Sequence, residues 1–384
     1  MSTGVERGVA GEEYSSDVAS LRETLLEQRK YTLAIYEGLP DAYWTPAEFP
    51  RIETANPPLW ELAHIAWFAE FFSLRWRQDD VEGSNTPSIL AGADALFNSS
   101  LVSHGDRWTL AYPSRDACFA YMRDSLDAVI NALEKSSPAA REGFQLAAAH
   151  EDMHAEALLM NLRTMGLAMP GFVASAIGPV RTGSVAGDIA FDGGRITLGA
   201  HQRSFRFDNE DRAYEVMVEP FAISSDVVGM QAFREFRDSP DYHHERLWSE
   251  DGNSWCRSSR GNHSLQEDLS FAMHVNFHEA QAWCRWAGRR LPSESEWELA
   301  ATRSPAFFAS TGKVWEWTGT KFCPYPGFVP HRYRDYSAPW FHSHQVLKGG
   351  SFATHLRLKY PQYRNFFTPG RGDVFCGFRT CAVA

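Results

Sequence analysis

Apolar residues recur three and four positions apart through roughly the first 170 residues of this 384-residue chain, and the pattern ends near residue 185. One layer of secondary structure cannot serve both textures, so the sequence predicts a helical domain followed by a mixed one. "VASLRETLLEQRKYTLAIYEGL" sets Leu21, Leu25, Leu33 and Tyr36 at helical spacing. "PPLWELAHIAWFAEFFSLRWR" opens on prolines, which suit a first turn, and reads as one helix unbroken to Arg77. "SRDACFAYMRDSLDAVINALEK" begins at Ser114, an expected N-cap. "AAREGFQLAAAHEDMHAEALLMNLRTMG" closes at Gly166, with Pro170 beyond it. Four helices of about twenty residues predict a bundle over residues 15–170. The connection from about 79 to 113 is too long to be idle and too aromatic to be disordered.

From residue 187 to 384 the runs "FDGGRITLGA", "YEVMVEPFAIS", "VWEWTGT", "QVLKGGSFAT" and "VFCGFRTC" alternate with two helical pieces, the signature of a loop-rich α+β domain. Residues 171–186 read as a linker. Residues 1–14 are polar and acidic and read as a disordered tail, not a signal peptide. The net charge of −11 argues against a nucleic-acid partner. No apolar run reaches the length of about 20 that spans a bilayer. Six cysteines, at 118, 256, 284, 323, 376 and 381, form no CxxC pair, which fits a reducing cytoplasm. The 13 tryptophans supply aromatic faces of the kind that hold quaternary ammonium groups, although most are expected in the core. Oligomeric state is not legible.

The last bundle helix contains a literal H-E-x-x-H, from His150 to His154. The two histidines share a helical face, lined further by Gly143, Ala147, Ala157, Leu158 and Asn161, and the small residues leave room for an ion. Glu151 is offset by about 100° and Glu156 by about 200°, so neither joins the same ion easily. Glu151 is expected at the surface or behind the ligands, not as a base. A third ligand should come from another helix. His64 lies in the stripe Trp60, Trp67, Phe68 and Phe71 and points into the bundle. Three neutral imidazoles suit Fe, Zn, Cu or Ni about equally, so residue type alone does not choose. A zinc protease would need Glu151 beside the metal and an extended cleft, which nothing in the first half advertises.

Taken together, "NPPLWELAHIAWF" and "HEDMHAEAL" resemble the DinB-like bundle of the ergothioneine-type sulfoxide synthases. "GRRLPSESEWELAA", "VWEWTGT", "VLKGGSF" and "CGFRTC" resemble the C-type-lectin-like domain of formylglycine-generating enzymes. The resemblance covers nearly all of the chain after residue 15. It implies a non-haem Fe(II) site at His64, His150 and His154, with O2 as co-substrate. It also implies oxidative attachment of sulfur or selenium to the imidazole of hercynine, the trimethylated betaine of histidine, and a catalytic tyrosine near Tyr325, Tyr333 or Tyr336, for which Tyr333 is chosen. By the same match, Met153, Asn365, Phe366, Phe367 and Arg107 fall at substrate-binding positions.

Departures from the family pattern concern the donor. The family's R-N-W-D stretch reads Arg364-Asn365-Phe366-Phe367 here, so the carboxylate that would pair with an amino-acid ammonium is Phe367. Arg107 is the only arginine in "SLVSHGDRWTLAY", and the last glutamine of the family's H-E-Q-Q-H is Met153. A zwitterionic thiol such as γ-glutamylcysteine would leave charges unpaired. A neutral seleno-sugar would not, and "GADALFNSSLVSHGDRW" most resembles the selenoneine-synthase branch, with a selenoxide as product. Asn98, Ser99 and Ser100 offer further sugar partners. His243, His244, His342 and His344 are read as loop histidines, Lys348 as structural, and Cys376 and Cys381 as buried thiols.

Overall fold

The computed structural model describes residues 13–45, 47–51, 53–83, 85–174, 187–200, 203–244 and 270–383. Of the tail expected over residues 1–14, residues 1–12 lie outside the described residues, as do 175–186 of the expected linker and Cys256; Tyr14 is instead buried and donates to Asp152 at 2.6 Å, and Gly171–Ala174 is helical. The chain divides into two compact units, Met1–Met165 and Gly166–Ala384. The expected order, an α domain and then an α+β domain, is the order observed.

In the first unit four long helices pack on one another: α1 (Val18–Tyr36), α2 (Pro58–Glu70), α4 (Arg115–Leu133) and α5 (Arg141–Thr164), with a short α3 (Ala93–Phe97) between α2 and α4. Asp17 caps α1 by accepting from the Ser20 amide, and Ser114 caps α4 by accepting from that of Ala117. Gly166, with φ +71°, follows the end of α5, a backbone shape glycine takes at no steric cost. Every residue of α2 is buried, Glu61, His64 and Glu70 included, so this helix is the spine of the bundle.

The α2 helix does not run on to Arg77. Its last turn, Phe71–Arg75, widens to a π-helix in which the Trp76 amide reaches the Phe71 carbonyl at 2.7 Å. Arg75 is thereby turned inward, to Asp94 at 2.6 Å and Glu70 at 3.5 Å. The buried cation ties the connection between α2 and α4 to the helix it leaves. That connection is held by short helical turns, not a structureless loop.

Among the described residues the second unit holds two four-stranded sheets and a two-stranded one. β1 (Asp188–Phe191), β4 (Phe221–Ser224), β10 (Cys381–Ala382) and β5 (Arg289–Arg290) lie side by side in that order, and β2 (Gly194–Leu198) pairs with β3 (Tyr214–Val218). In the other sheet the order is β8 (Asn365–Phe367), β7 (Gln345–Lys348), β6 (Trp315–Lys321) and β9 (Cys376–Phe378). Trp315 and Trp317 of the "WEWTGT" run are fully buried, and the Trp317 indole donates to the Val275 carbonyl at 2.7 Å. Lys348 is buried against Glu298 at 2.9 Å, and Arg364 against Glu294 at 2.6 Å, so both cations are matched inside the core. Cys376 and Cys381 are buried free thiols.

Candidate metal centre

The site starts from helix geometry. One turn of α5 separates His150 from His154, and α2 places His64 opposite them. The three rings come together with centroids 5.0, 5.0 and 4.2 Å apart. One nitrogen from each lies within 4.8 Å of the others, the only such group of three His, Cys, Asp or Glu among the described residues. His243, His244, His342 and His344 form no second group there.

The hydrogen bonds fix which nitrogen is presented. The His64 Nδ1 lies 2.8 Å from the Phe97 carbonyl, which can only accept, so Nδ1 carries the proton and Nε2 keeps its lone pair. The His154 Nδ1 donates to the Glu61 carboxylate in the same way. Carboxylate and carbonyl partners of this kind commonly orient metal-bound imidazoles. Nε2 of His154 is then 3.0 Å from Nε2 of His150. Two lone pairs cannot face each other at that distance unless a proton or a cation lies between them. Two nitrogens at right angles, each about 2.1 Å from an ion, would stand about 3 Å apart, so the spacing fits a metal.

Burial, followed by the charge of His154, pushes the His64 imidazole down to about 3. His150, stacked on Phe68 with centroids 3.4 Å apart, is likewise driven well below the ordinary histidine value by burial and by the other two rings. Burial would raise the Glu61 carboxyl, but His154, His64 and Asn56 outweigh it and hold the group at about 2. The result is neutral His64 and His150 imidazoles near the fixed Glu61 anion, a donor set suited to a dication.

Glu61 was missed in the sequence, although it stands three residues before His64 and shares its face. Glu151 lies off the ligand face as expected but is not at the surface: it is buried, with both carboxylate oxygens taken by Arg29 of α1 at 2.9 and 3.1 Å. The 100° offset from the ligand face aims it at a neighbouring helix because α5 is largely enclosed. A carboxylate bound this way is no base for a metal-held water.

Met153 is half-buried beside His154. Arg107 lies over the Trp60 ring at 3.8 Å and donates to Asn56 Oδ1 at 2.8 Å and to the Val102 carbonyl. In the second unit, Asn365, Phe366 and Phe367 form the edge strand β8, each half-buried. Phe366 stacks on Phe322 at 4.1 Å, and the Arg371 guanidinium lies 5.1 Å over Phe367 while pairing with Asp373 at 2.5 Å. Tyr325 donates to Glu294 at 3.0 Å, Tyr336 meets Tyr363 Oη at 3.3 Å, and Tyr333 is half-buried with its ring 5.9 Å from that of Tyr336.

A family described as the sulfatase-modifying factor enzyme 1-like domain matches residues 173–310 and 306–384, together more than half of the chain. The DinB superfamily matches residues 24–158. A hercynine oxygenase of Mycolicibacterium thermoresistibile is 28% identical, with 94% of this chain and 94% of that protein covered. The hercynine oxygenase of Mycobacterium tuberculosis is 29% identical, over 84% of this chain and 90% of that protein. A formylglycine-generating enzyme of Streptomyces coelicolor is 29% identical, over 36% of this chain and 54% of that protein. No helix among the described residues is long and apolar enough to cross a membrane.

Proposed function

The chain belongs to the sulfatase-modifying factor enzyme 1-like family, and from that premise we propose that it is a non-haem Fe(II), O2-dependent enzyme that joins hercynine to a 1-seleno-sugar. The observation that carries the reading is the three-imidazole cluster with two tautomers fixed by Phe97 and Glu61. The relatives named hercynine oxygenase supply the acceptor. Bound at His64, His150 and His154, Fe(II) would supply a place for O2 and for an anionic chalcogenolate. Overall the hercynine C–H and the donor Se–H are lost, a C–Se bond forms and selenium gains one oxygen. The other oxygen atom leaves as water, so the four electrons taken up by O2 are all accounted for.

The chain's own residues hold the reactants and keep water out. Trp60 and Phe68 stack on His64 and His150 and give the ligand cluster a dry wall. Met153 is assigned to the hercynine side of His154. In the second unit, the Asn365 amide is assigned to a donor hydroxyl and the Phe366 and Phe367 rings to the apolar face of a sugar. Tyr333 is proposed as the tyrosine of the reaction on the family resemblance, and it is half-buried. A donor without carboxylates is favoured because these arginines are engaged within their own units: Arg107 by Asn56 and Trp60 in the first, and Arg364 by Glu294 and Arg371 by Asp373 in the second. A cytoplasmic location is part of this reading and rests on the scattered cysteines without a CxxC pair.

The test is a competition. Hercynine, O2 and Fe(II)-loaded protein are given the seleno-sugar and γ-glutamylcysteine at equal concentration, and products are followed by mass. The selenoxide should dominate. Predominance of the γ-glutamylcysteine sulfoxide would move the protein to the ergothioneine branch, while formation of neither would refute the hercynine assignment itself.

A further inference from the structure

Two separate lines of contact run from the α2–α4 connection to two different histidines of the cluster, and both begin at Arg107. Along the first, the Arg107 guanidinium lies 3.8 Å over the Trp60 ring, and that ring stacks on His64 at 4.6 Å with only 12° between planes. Along the second, Arg107 donates to Asn56 Oδ1 at 2.8 Å, and Asn56 Nδ2 donates to Glu61 Oε2 at 2.5 Å. The other Glu61 oxygen accepts from His154 Nδ1. Arg107 is itself fixed by the Val102 carbonyl at 3.1 and 3.3 Å and by Tyr112, whose hydroxyl donates to the Arg107 carbonyl. The same connection is anchored beside this point by His104, which donates to the Ala55 carbonyl at 2.7 Å.

We propose that Arg107 and Asn56 are positioning residues for the metal site: they set the ring planes of His64 and His154 through the Trp60 stack and the Glu61 carboxylate. The inference rests on the reading of the three histidines as metal ligands. It gives Arg107 a task different from receiving a substrate carboxylate. The chemistry supports it in two ways. A planar guanidinium held by several acceptors is a rigid lid over an indole, which a lysine cannot reproduce. A carboxylate with one oxygen on histidine and the other on an amide has its orientation fixed, and outer partners of this kind are worth about 10- to 100-fold in metal affinity. The arrangement also couples the connection to the ion: ordering residues 98–112 and binding metal favour the same side-chain positions.

Charge alone makes the opposite forecast. Arg107 is a cation near a dication, so removing it for electrostatic reasons would tighten metal binding, whereas removing a positioning residue weakens it. The experiment titrates the purified full-length chain anaerobically with Fe(II) against a chromophoric chelator. Alongside it, the visible absorption of the Co(II)-loaded chain reports ligand geometry. Arg107→Met and Asn56→Leu should each weaken Fe(II) binding about 10-fold or more and alter the Co(II) band. Arg107→Lys, which keeps the charge and is the milder change if the others fold poorly, should fall between these and the unaltered protein. Affinities within twofold of the unaltered chain with an unchanged Co(II) band, or tighter binding in Arg107→Met, would overturn the proposal. Failure of the underlying reading looks different: the unaltered chain itself would take up no Fe(II), or His154→Ala would bind as well as it does, and the inference would fall with it.

Discussion

Two buried glutamates, Glu61 on α2 and Glu151 on α5, show how much a single carboxylate's partner decides. Glu61 holds His154, so Glu61→Gln removes an anion that orients a ligand. We expect Fe(II) affinity about 10- to 100-fold lower with little loss of fold, measured by anaerobic chelator competition. Glu151 holds Arg29 in the bundle interior. Glu151→Gln should leave that cation without its counter-charge and cost roughly 3 kcal/mol in denaturant unfolding, while the folded fraction still binds Fe(II) normally. The reverse pattern, stable protein with metal binding lost, would restore Glu151 to the site. The three histidines were legible because i,i+4 spacing and a buried stripe are properties of one helix at a time. Their partners were not. Phe97 and Arg107 reach the site through tertiary packing, and no sequence period records which residue of another segment arrives there.

Among the elements, α2 and α5 together bury imidazoles that the unfolded chain exposes. The folded values of His64 and His150 lie below the ordinary 6.5, with His64 at about 3. The unfolded chain therefore binds more protons than the folded one once the pH falls below about 6.5. The stability these neutral rings contribute is full above that point and is lost as the pH drops toward 3. For metal-free protein we expect the unfolding free energy from denaturant titration to decline from pH 7.5 to 5, by about 1.4 kcal/mol per pH unit for each such histidine once below its unfolded value. His64→Gln should flatten the slope by one proton, and an unfolding free energy independent of pH across this range would contradict the burial described. Element boundaries followed the sequence where a local signal existed, as at the Ser114 cap and Gly166. The π-turn at Phe71–Arg75 had none, since the Arg75–Asp94 pair that accompanies it joins α2 to a distant part of the connection.

For the whole molecule, the chain divides into two compact units between Met165 and Gly166, ahead of the change of period near residue 185, and the ligand cluster belongs entirely to the first. Fe(II) present at about 100 times its dissociation constant should stabilise the unit that binds it by about 2.7 kcal/mol. Hydrogen exchange on the full chain should then slow in α2 and α5 on adding Fe(II), with β6 and β7 unchanged; equal protection everywhere would mean that the ion does not report on the bundle. The central claim, that the three histidines hold the iron that turns over hercynine, is tested most directly by one paired measurement. Iron content and O2-dependent consumption of hercynine, with the seleno-sugar present, are determined for the anaerobically purified chain and for His64→Ala, His150→Ala and His154→Ala. We predict one Fe(II) per unaltered chain, with iron and turnover lost together in all three variants; full iron and full activity in any two of the variants would contradict the account.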